Sequence, residues 1–470
     1  MSFLPLRSRA LPDGATIFVN DSGRFFLGAD AFVGRLVDGA ETEGDRFSLR
    51  AAGHLIENAD SLAFAAHSRA VARRIAPAAP LDYLILVPTL RCNLDCSYCQ
   101  VSRVNIDRTG FDWSEETLAA VLAMIDGLAC DRLKIEFQGG EPTLRPDLLL
   151  AVMEKAERFA QRQFVICSNL QHIDDELLAI FDRPDVFIST SLDGDEVTHG
   201  RHRTKDAGTT SAFFRNLRFI VNRYGPSKVS ALPTINAATP PAADDLIDAY
   251  VAYGMDSIFL RPINYQGFAR KRHKQAREQD EAWRSYYEGF IHRLIERNWA
   301  DQDRVLEETY FSIGLRRIFQ PGRERHVDLR NPNPMGHDYI VVDHDGAVYP
   351  TDEARMLSRS GVIDLSIGTI ETGWDSEARD LLNSHATNQF DPACMQCAYQ
   401  PYCGRDPIDD LARYGRIDMP RYDTAFCRRH MHLFDLIFRL LYADCEKVRY
   451  SLAQWLRLPS IPDSFGEVMA

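Results

Sequence analysis

The 470 residues carry 54 Lys and Arg against 67 Asp and Glu, a formal net charge of -13, and 45% of them are hydrophobic. That apolar content supports more than one core and excludes wholesale disorder, while the acidic balance argues against nucleic acid as a principal partner. No run reaches the roughly 18 apolar residues of a membrane span, and Met1 to Ala10 lacks a signal-type apolar stretch, so a cytoplasmic protein without membrane attachment is expected.

In chain order, Ala15–Asn20 and Arg24–Leu27 flank the turn signal Asn20-Asp21-Ser22-Gly23 and predict a hairpin, with helical patterns after it. Residues 1–77 therefore read as a small α+β, winged-helix-like unit, closed by the prolines of Ile75-Ala-Pro-Ala-Ala-Pro80. Residues 78–264 alternate β-rich and helical stretches in six units. The β-rich runs are Leu81–Thr89, Leu133–Gly140, Gln163–Asn169, Val186–Gly194, Lys228–Asn236 and Ser257–Asn264. Such alternation predicts an α/β fold with a parallel sheet, either open or a partial (β/α)6 TIM-like barrel, with chemistry at the carboxyl ends of the strands. Residues 265–330 form a charged helical bridge whose longest pattern is Gln275–Arg297. Residues 331–430 are loop-rich and carry a cysteine cluster, and 431–470 hold a C-terminal amphipathic helix over Met431–Leu456.

Ten cysteines in such a chain are poorly explained by structural disulfides, so their spacing decides their use. Directly after the first β-rich run stands Leu90-Arg-Cys92-Asn-Leu-Asp-Cys96-Ser-Tyr-Cys99. Thiolates favour iron–sulfur clusters or zinc, and both commonly take four ligands; three close thiolates leave one position open for chemistry. A zinc site closed by a remote histidine is the competing reading. The second run ends on Phe137-Gln-Gly139-Gly140-Glu141-Pro142, one βα unit later.

At these residues the sequence resembles the radical SAM superfamily. The resemblance implies a 4Fe-4S cluster on Cys92, Cys96 and Cys99, with the amino and carboxylate groups of S-adenosylmethionine (SAM) on the fourth iron. Gly139, Gly140, Glu141 and Pro142 look like the family's Gly-Gly-Glu-Pro motif, in which backbone carbonyls or Glu141 receive the amino group. By the same resemblance Ser191 and Arg203 contact the ribose and carboxylate, and Tyr98 lies beside the adenine. A solvated surface role for Arg203 and core packing for Tyr98 are the alternatives.

Cys394-Met-Gln-Cys397-Ala-Tyr-Gln-Pro-Tyr-Cys403 and Cys427 resemble the SPASM extension of radical SAM peptide-modifying enzymes. There the full pattern binds two auxiliary 4Fe-4S clusters. Here Thr351 stands where Gly346 would lead to a cysteine, Pro407 replaces another, and no cysteine lies between 167 and 394. The resemblance thus implies one auxiliary 4Fe-4S cluster, on Cys394, Cys397, Cys403 and Cys427. A structural zinc is the alternative, Cys445 is a rival last ligand, and Cys130 and Cys167 read as buried thiols. In related sulfatase-maturing enzymes an aspartate after the Thr351 position serves as base, which makes Asp352 a catalytic candidate, with an exposed loop acid as the alternative. Arg261, ending the sixth run, suits either a substrate or a structural carboxylate.

The strings Cys96-Ser-Tyr-Cys-Gln-Val-Ser-Arg-Val104, Phe137-Gln-Gly-Gly-Glu-Pro142, Ser257-Ile-Phe-Leu-Arg-Pro262 and Cys397-Ala-Tyr-Gln-Pro-Tyr-Cys403-Gly together resemble the His-Xaa-Ser system radical SAM maturase, B type. That implies reductive cleavage of SAM to a 5'-deoxyadenosyl radical, which modifies a ribosomally made precursor peptide carrying His-Xaa-Ser repeats, with flavodoxin or ferredoxin as reducing partner. Residues 1–77 then look like a peptide-recognition element, with a structural cap as the alternative. The rival functions are an anaerobic sulfatase-maturing type oxidase and a non-catalytic iron–sulfur protein for peptide binding or electron transfer. The bond formed and the oligomeric state do not follow from the residues.

Overall fold

The computed structural model describes residues 2–56, 58–75, 79–204, 206–274, 280–322, 326 and 329–466. Its N-terminal part is a three-stranded antiparallel sheet, β1 (Leu6–Ala10), β2 (Thr16–Asn20) and β3 (Phe25–Gly28), followed by helices Asp30–Val37, Glu43–Ala51 and Leu62–Ala72. Sequence patterning missed β1, because Leu-Arg-Ser-Arg-Ala offers little apolar alternation. The β2–β3 turn forms as expected: the Asn20 side chain accepts from Ser22 and Arg24 N–H groups, and Gly23 takes positive φ. This sheet docks on the C-terminal region, where Phe25 meets Phe438 edge-on and the Tyr402 hydroxyl donates to the Gly23 carbonyl. Of the expected linker, residues 76–78 lie outside the described residues.

The central sheet runs β4 (Tyr83–Leu86), β5 (Arg132–Phe137), β6 (Gln161–Cys167), β7 (Val186–Ser191) and β8 (Val229–Leu232), all parallel and in chain order. Helices Glu115–Gly127, Pro146–Lys155, Asp175–Phe181 and Ala207–Tyr224 make the crossovers. Side-chain caps from Ser114, Asp174 and Asp206 start three of them by accepting backbone N–H groups. On the helix-facing side, Leu133, Ile135, Phe137, Phe164, Ile166, Val186 and Ile188 are buried. A parallel sheet covered on both faces reads apolar on both. Here the other face carries Glu136, Gln138, Cys167, Ser189 and Ser191, which line a cavity instead of a core.

The sixth predicted run does not extend the sheet. It splits: Ser257–Ile258 pairs with Glu307–Glu308, and Arg261–Pro262 pairs with Thr234–Ile235. The barrel therefore stays open. On the opposite edge, β9 (Tyr339–Val342) joins parallel to β4, and a hairpin to β10 (Ala347–Tyr349) continues the sheet. All four β9 residues are buried. They stand in the stretch that reads as loop-rich, since a four-residue apolar run has no period to detect.

Helices Asp280–Ala300, Thr309–Phe319, Ala425–Leu441 and Glu446–Trp455 complete the fold. Residues 275–279 of the predicted Gln275–Arg297 helix lie outside the described residues. Among the described residues no helix is long and apolar enough to cross a membrane.

Candidate active site and four-cysteine site

The loop carrying the first three cysteines is pressed into place by glycine. Gly140 N–H donates to the Thr89 carbonyl at 2.9 Å and Glu141 N–H to the Arg91 carbonyl at 2.8 Å, so the end of β5 is stitched to the start of the loop. A Cβ on Gly140 would lie 2.2 Å from the Arg91 oxygen and 2.4 Å from that of Leu90. One on Gly139, whose φ is +128°, would lie 2.3 Å from the Thr89 oxygen. No side chain fits either place. Farther along, the Ser97 N–H donates to the His202 carbonyl at 2.8 Å and Arg272 donates to the Cys96 carbonyl at 2.9 Å.

The loop faces a cavity of about 410 Å³ at the carboxyl ends of the strands. Cys92, Cys96, Cys99, Tyr98, Gly139, Gly140, Glu141, Ser191 and Arg203 all line it; Pro142 and Asp352 do not. Pro142 instead opens the single turn Pro142–Leu144, where a missing N–H costs nothing. Burial pushes the Cys92 thiol up to about 12, with the Glu141 carboxylate adding to the effect. Burial also raises Cys96, with Arg203 pulling the other way. Such thiols ionise only when a metal takes up the charge. The Leu94 N–H at 3.4 Å and the Asn169 amide at 3.8 Å already point at the Cys92 sulfur. Three thiols lining one cavity, with two N–H donors aimed at the Cys92 sulfur, fit an iron–sulfur cluster held on one side.

Glu141 is occupied internally. One carboxyl oxygen accepts from the Thr143 hydroxyl at 2.6 Å and the other from the Asn169 N–H at 2.7 Å, tying the end of β5 to that of β6. Burial pushes its pKa up.

Arg203 is not a solvated surface group. Its Nε donates to Asp193 at 3.0 Å, its guanidinium lies 5.1 Å from the Tyr98 ring centre, and the Tyr98 hydroxyl donates to the same Asp193. Asp193 in turn accepts the Thr234 N–H at 2.9 Å. The sequence alone gives Asp193 no role. The available signal is an acid followed by glycine, Asp193-Gly194, at the end of a β-rich run; in the structure that acid is buried and the glycine has positive φ.

The second cysteine set also shares one cavity wall. Cys394, Cys397, Cys403 and Cys427 line one small cavity, and Cys445 does not: it precedes helix Glu446–Trp455 and packs on the main core. Burial pushes Cys394 up to about 12 and Cys427 to about 11, with Arg421 opposing both. Asp391 accepts the N–H groups of Ala393 and Cys394, and Asn388 donates to the Cys403 carbonyl at 2.8 Å. Thr424 caps helix Ala425–Leu441 by accepting the Cys427 N–H at 3.2 Å, which sets that sulfur in the first turn, where the helix dipole favours a thiolate. From the N-terminal sheet, Arg9 forks onto Asp435 at 2.7 and 3.1 Å, and Tyr399 donates to the same carboxylate at 2.6 Å. With both sites holding 4Fe-4S, iron analysis gives about eight per chain; C427A reduces it toward about four, and C445A leaves it unchanged.

Thr351, in the place of a SPASM cysteine, caps helix Asp352–Arg359 by accepting the Ala354 N–H at 3.0 Å. Asp352 is buried, not an exposed loop acid, and receives Arg355 Nε at 2.9 Å. Burial raises its pKa against the pull of Arg355, while its neighbour Glu353 is the one at the cavity wall. D352N removes the carboxylate charge 2.9 Å from the fully buried Arg355 and leaves Asp343, 3.9 Å away, as its remaining carboxylate among the described residues. Stability is expected to fall by about 3 kcal/mol, read as a lower urea midpoint.

Residues 86–236 match the Radical SAM superfamily. The PqqA peptide cyclase of Rhodopseudomonas palustris is 25% identical over 188 residues, 40% of this chain and 48% of that protein. An uncharacterized protein of Methanocaldococcus jannaschii is 23% identical over 182 residues, 38% of this chain and 61% of that one. The chain thus spans less than two-thirds of the length of the curated relatives it matches. Among solved structures, anSMEcpe with bound AdoMet shares the fold at a TM-score of 0.59 and 17% identity, over 76% of this chain and 97% of that one. The same protein with AdoMet and the Cp18Cys peptide gives 0.57 and 16%, over 76% and 97%. The strands and cysteine loop of residues 86–236 belong to the radical SAM superfamily, whose cofactors are a 4Fe-4S cluster and S-adenosylmethionine.

Proposed function

We propose that this chain reductively cleaves SAM to a 5'-deoxyadenosyl radical and uses it to abstract hydrogen from a ribosomally made peptide. The observation that carries the reading is that Cys92, Cys96 and Cys99 line one cavity together with Ser191, Arg203 and the charged side chains Arg261, Glu353 and Arg429. Cys92, Cys96 and Cys99 would hold the cluster, and Tyr98, Gly139, Gly140, Glu141, Ser191 and Arg203 would enclose SAM. The bound cofactors supply the radical; the protein positions them and excludes water and oxygen. Glu353, one residue beyond Asp352, is the carboxylate proposed to face the substrate.

A peptide substrate is supported by the names of the similar proteins, one a PqqA peptide cyclase and one solved with a Cp18Cys peptide. The finer reading, a His-Xaa-Ser type precursor, rests on the sequence resemblance. Residues 1–77 would then recognise the peptide, with β1 and β3 as the edges a strand can extend. Cys394, Cys397, Cys403 and Cys427 would hold one auxiliary 4Fe-4S cluster, and flavodoxin or ferredoxin would deliver the electron. A sulfatase-maturing type oxidase is disfavoured by Thr351 and Pro407 at two cysteine positions.

The test is anaerobic reconstitution with iron and sulfide, then SAM, dithionite and a peptide of His-Xaa-Ser repeats, followed by mass spectrometry. Formation of 5'-deoxyadenosine with a changed or deuterated peptide is expected. Normal iron content with SAM left intact would instead identify an electron-transfer or binding protein.

A further inference from the structure

We propose that Tyr310 is a hydrogen-atom donor to carbon radicals formed in the large cavity, held for that task by His430. The proposal rests on the radical SAM reading above and assigns a chemical role that the three-cysteine loop does not supply. Among the described residues, His430 is the one side chain that lines both the large cavity and the four-cysteine cavity. It stands in the helix that begins at Ala425 with Cys427 in its first turn. Its Nδ1 faces the Phe426 carbonyl at 2.8 Å; a carbonyl only accepts, so Nδ1 carries the proton. Nε2 faces the Tyr310 hydroxyl 2.5 Å away and accepts from it when the ring is neutral. Tyr310 stacks on Phe259, with ring centres 5.7 Å apart, at the wall of the large cavity.

Three tyrosines line that cavity. Tyr98 donates to Asp193 and Tyr287 to Glu308, a carboxylate already held by the Leu260 and Phe311 N–H groups. Tyr310 alone of the three donates to a side chain shared with the second cysteine site. In the proposed step the Tyr310 O–H bond breaks and a C–H bond forms at the radical carbon, leaving a phenoxyl radical one electron above the phenol. One solvent proton and one electron restore it; a reduced iron–sulfur cluster, which the four cysteines would hold, would supply the electron. A peptide carbon treated this way gains a solvent hydrogen with no net oxidation.

The cluster-loaded protein is incubated with SAM and dithionite in deuterium oxide without peptide, so that the deoxyadenosyl carbon itself takes the hydrogen. Wild type is expected to yield 5'-deoxyadenosine carrying one solvent deuterium. Y310F should lower the deuterated fraction by about fivefold or more, while Y287F keeps it. A tyrosyl radical signal in freeze-quenched wild type should be absent from Y310F. Before iron loading, nitrogen-15 histidine NMR should show the Nδ1–H tautomer of His430, with an Nε2 resonance that moves in Y310F and not in Y287F. Equal deuteration in wild type and Y310F, or an unmoved Nε2 resonance, overturns the assignment of Tyr310. Absence of 5'-deoxyadenosine from wild type overturns the radical SAM reading itself.

Discussion

Replacing Cys92, Cys96 or Cys99 with alanine is expected to lower reductive 5'-deoxyadenosine formation by roughly three orders of magnitude or more, to the assay floor. All three cysteines line the cavity, and burial raises the thiols of Cys92 and Cys96, so their thiolate forms depend on the metal that binds them. With one ligand removed, the remaining pair cannot hold a cluster that also leaves an iron open, and iron should fall from about eight to about four per chain. C130A, near the end of helix Glu115–Gly127 and outside both cavities, should keep full iron and activity. Full SAM cleavage by a cluster-loop variant would sink the assignment.

The sequence carried the parallel sheet because each strand holds bulky apolar residues on the helix side, as in Leu133, Ile135 and Phe137. It carried the cysteine sites because their spacing is local. What it did not carry is long-range pairing. Nothing near Tyr339–Val342 says that this strand lies beside Tyr83–Leu86, and nothing near residue 203 says that Asp193 and Tyr98 will take Arg203 out of solvent. Thr351 shows the reverse case, in which a resemblance marked a missing cysteine and only the structure shows the threonine at work as a helix cap. His430 was silent for a similar reason: a lone histidine on an amphipathic helix reads as core, and much of the large cavity it lines comes from segments more than a hundred residues away, Tyr310 being 120 positions distant.

G140A should nearly match the cysteine variants in effect while removing no ligand. The added Cβ meets two carbonyl oxygens, Arg91 at 2.2 Å and Leu90 at 2.4 Å, and backbone atoms cannot rotate aside as a side-chain end can. Nor can the strand withdraw, since Gly140 and Glu141 N–H groups both donate into the loop and Glu141 is tied to Asn169. Overpacking of this kind costs about 1–3 kcal/mol, which the fold as a whole survives. The relief falls on the cysteine loop, shifting Cys92 relative to Cys96 and Cys99. Iron should therefore drop toward about four per chain, with the four-cysteine site still filled and far-ultraviolet circular dichroism unchanged. G127A is the matched control, for that glycine ends its helix with no atom within 4 Å of an added Cβ. It should be neutral or slightly stabilising, by a few tenths of a kcal/mol. If G140A instead kept full iron and SAM turnover, the loop would be more compliant than its hydrogen bonds imply, and the Gly-Gly turn would owe its place to the ligand rather than to the backbone beside it.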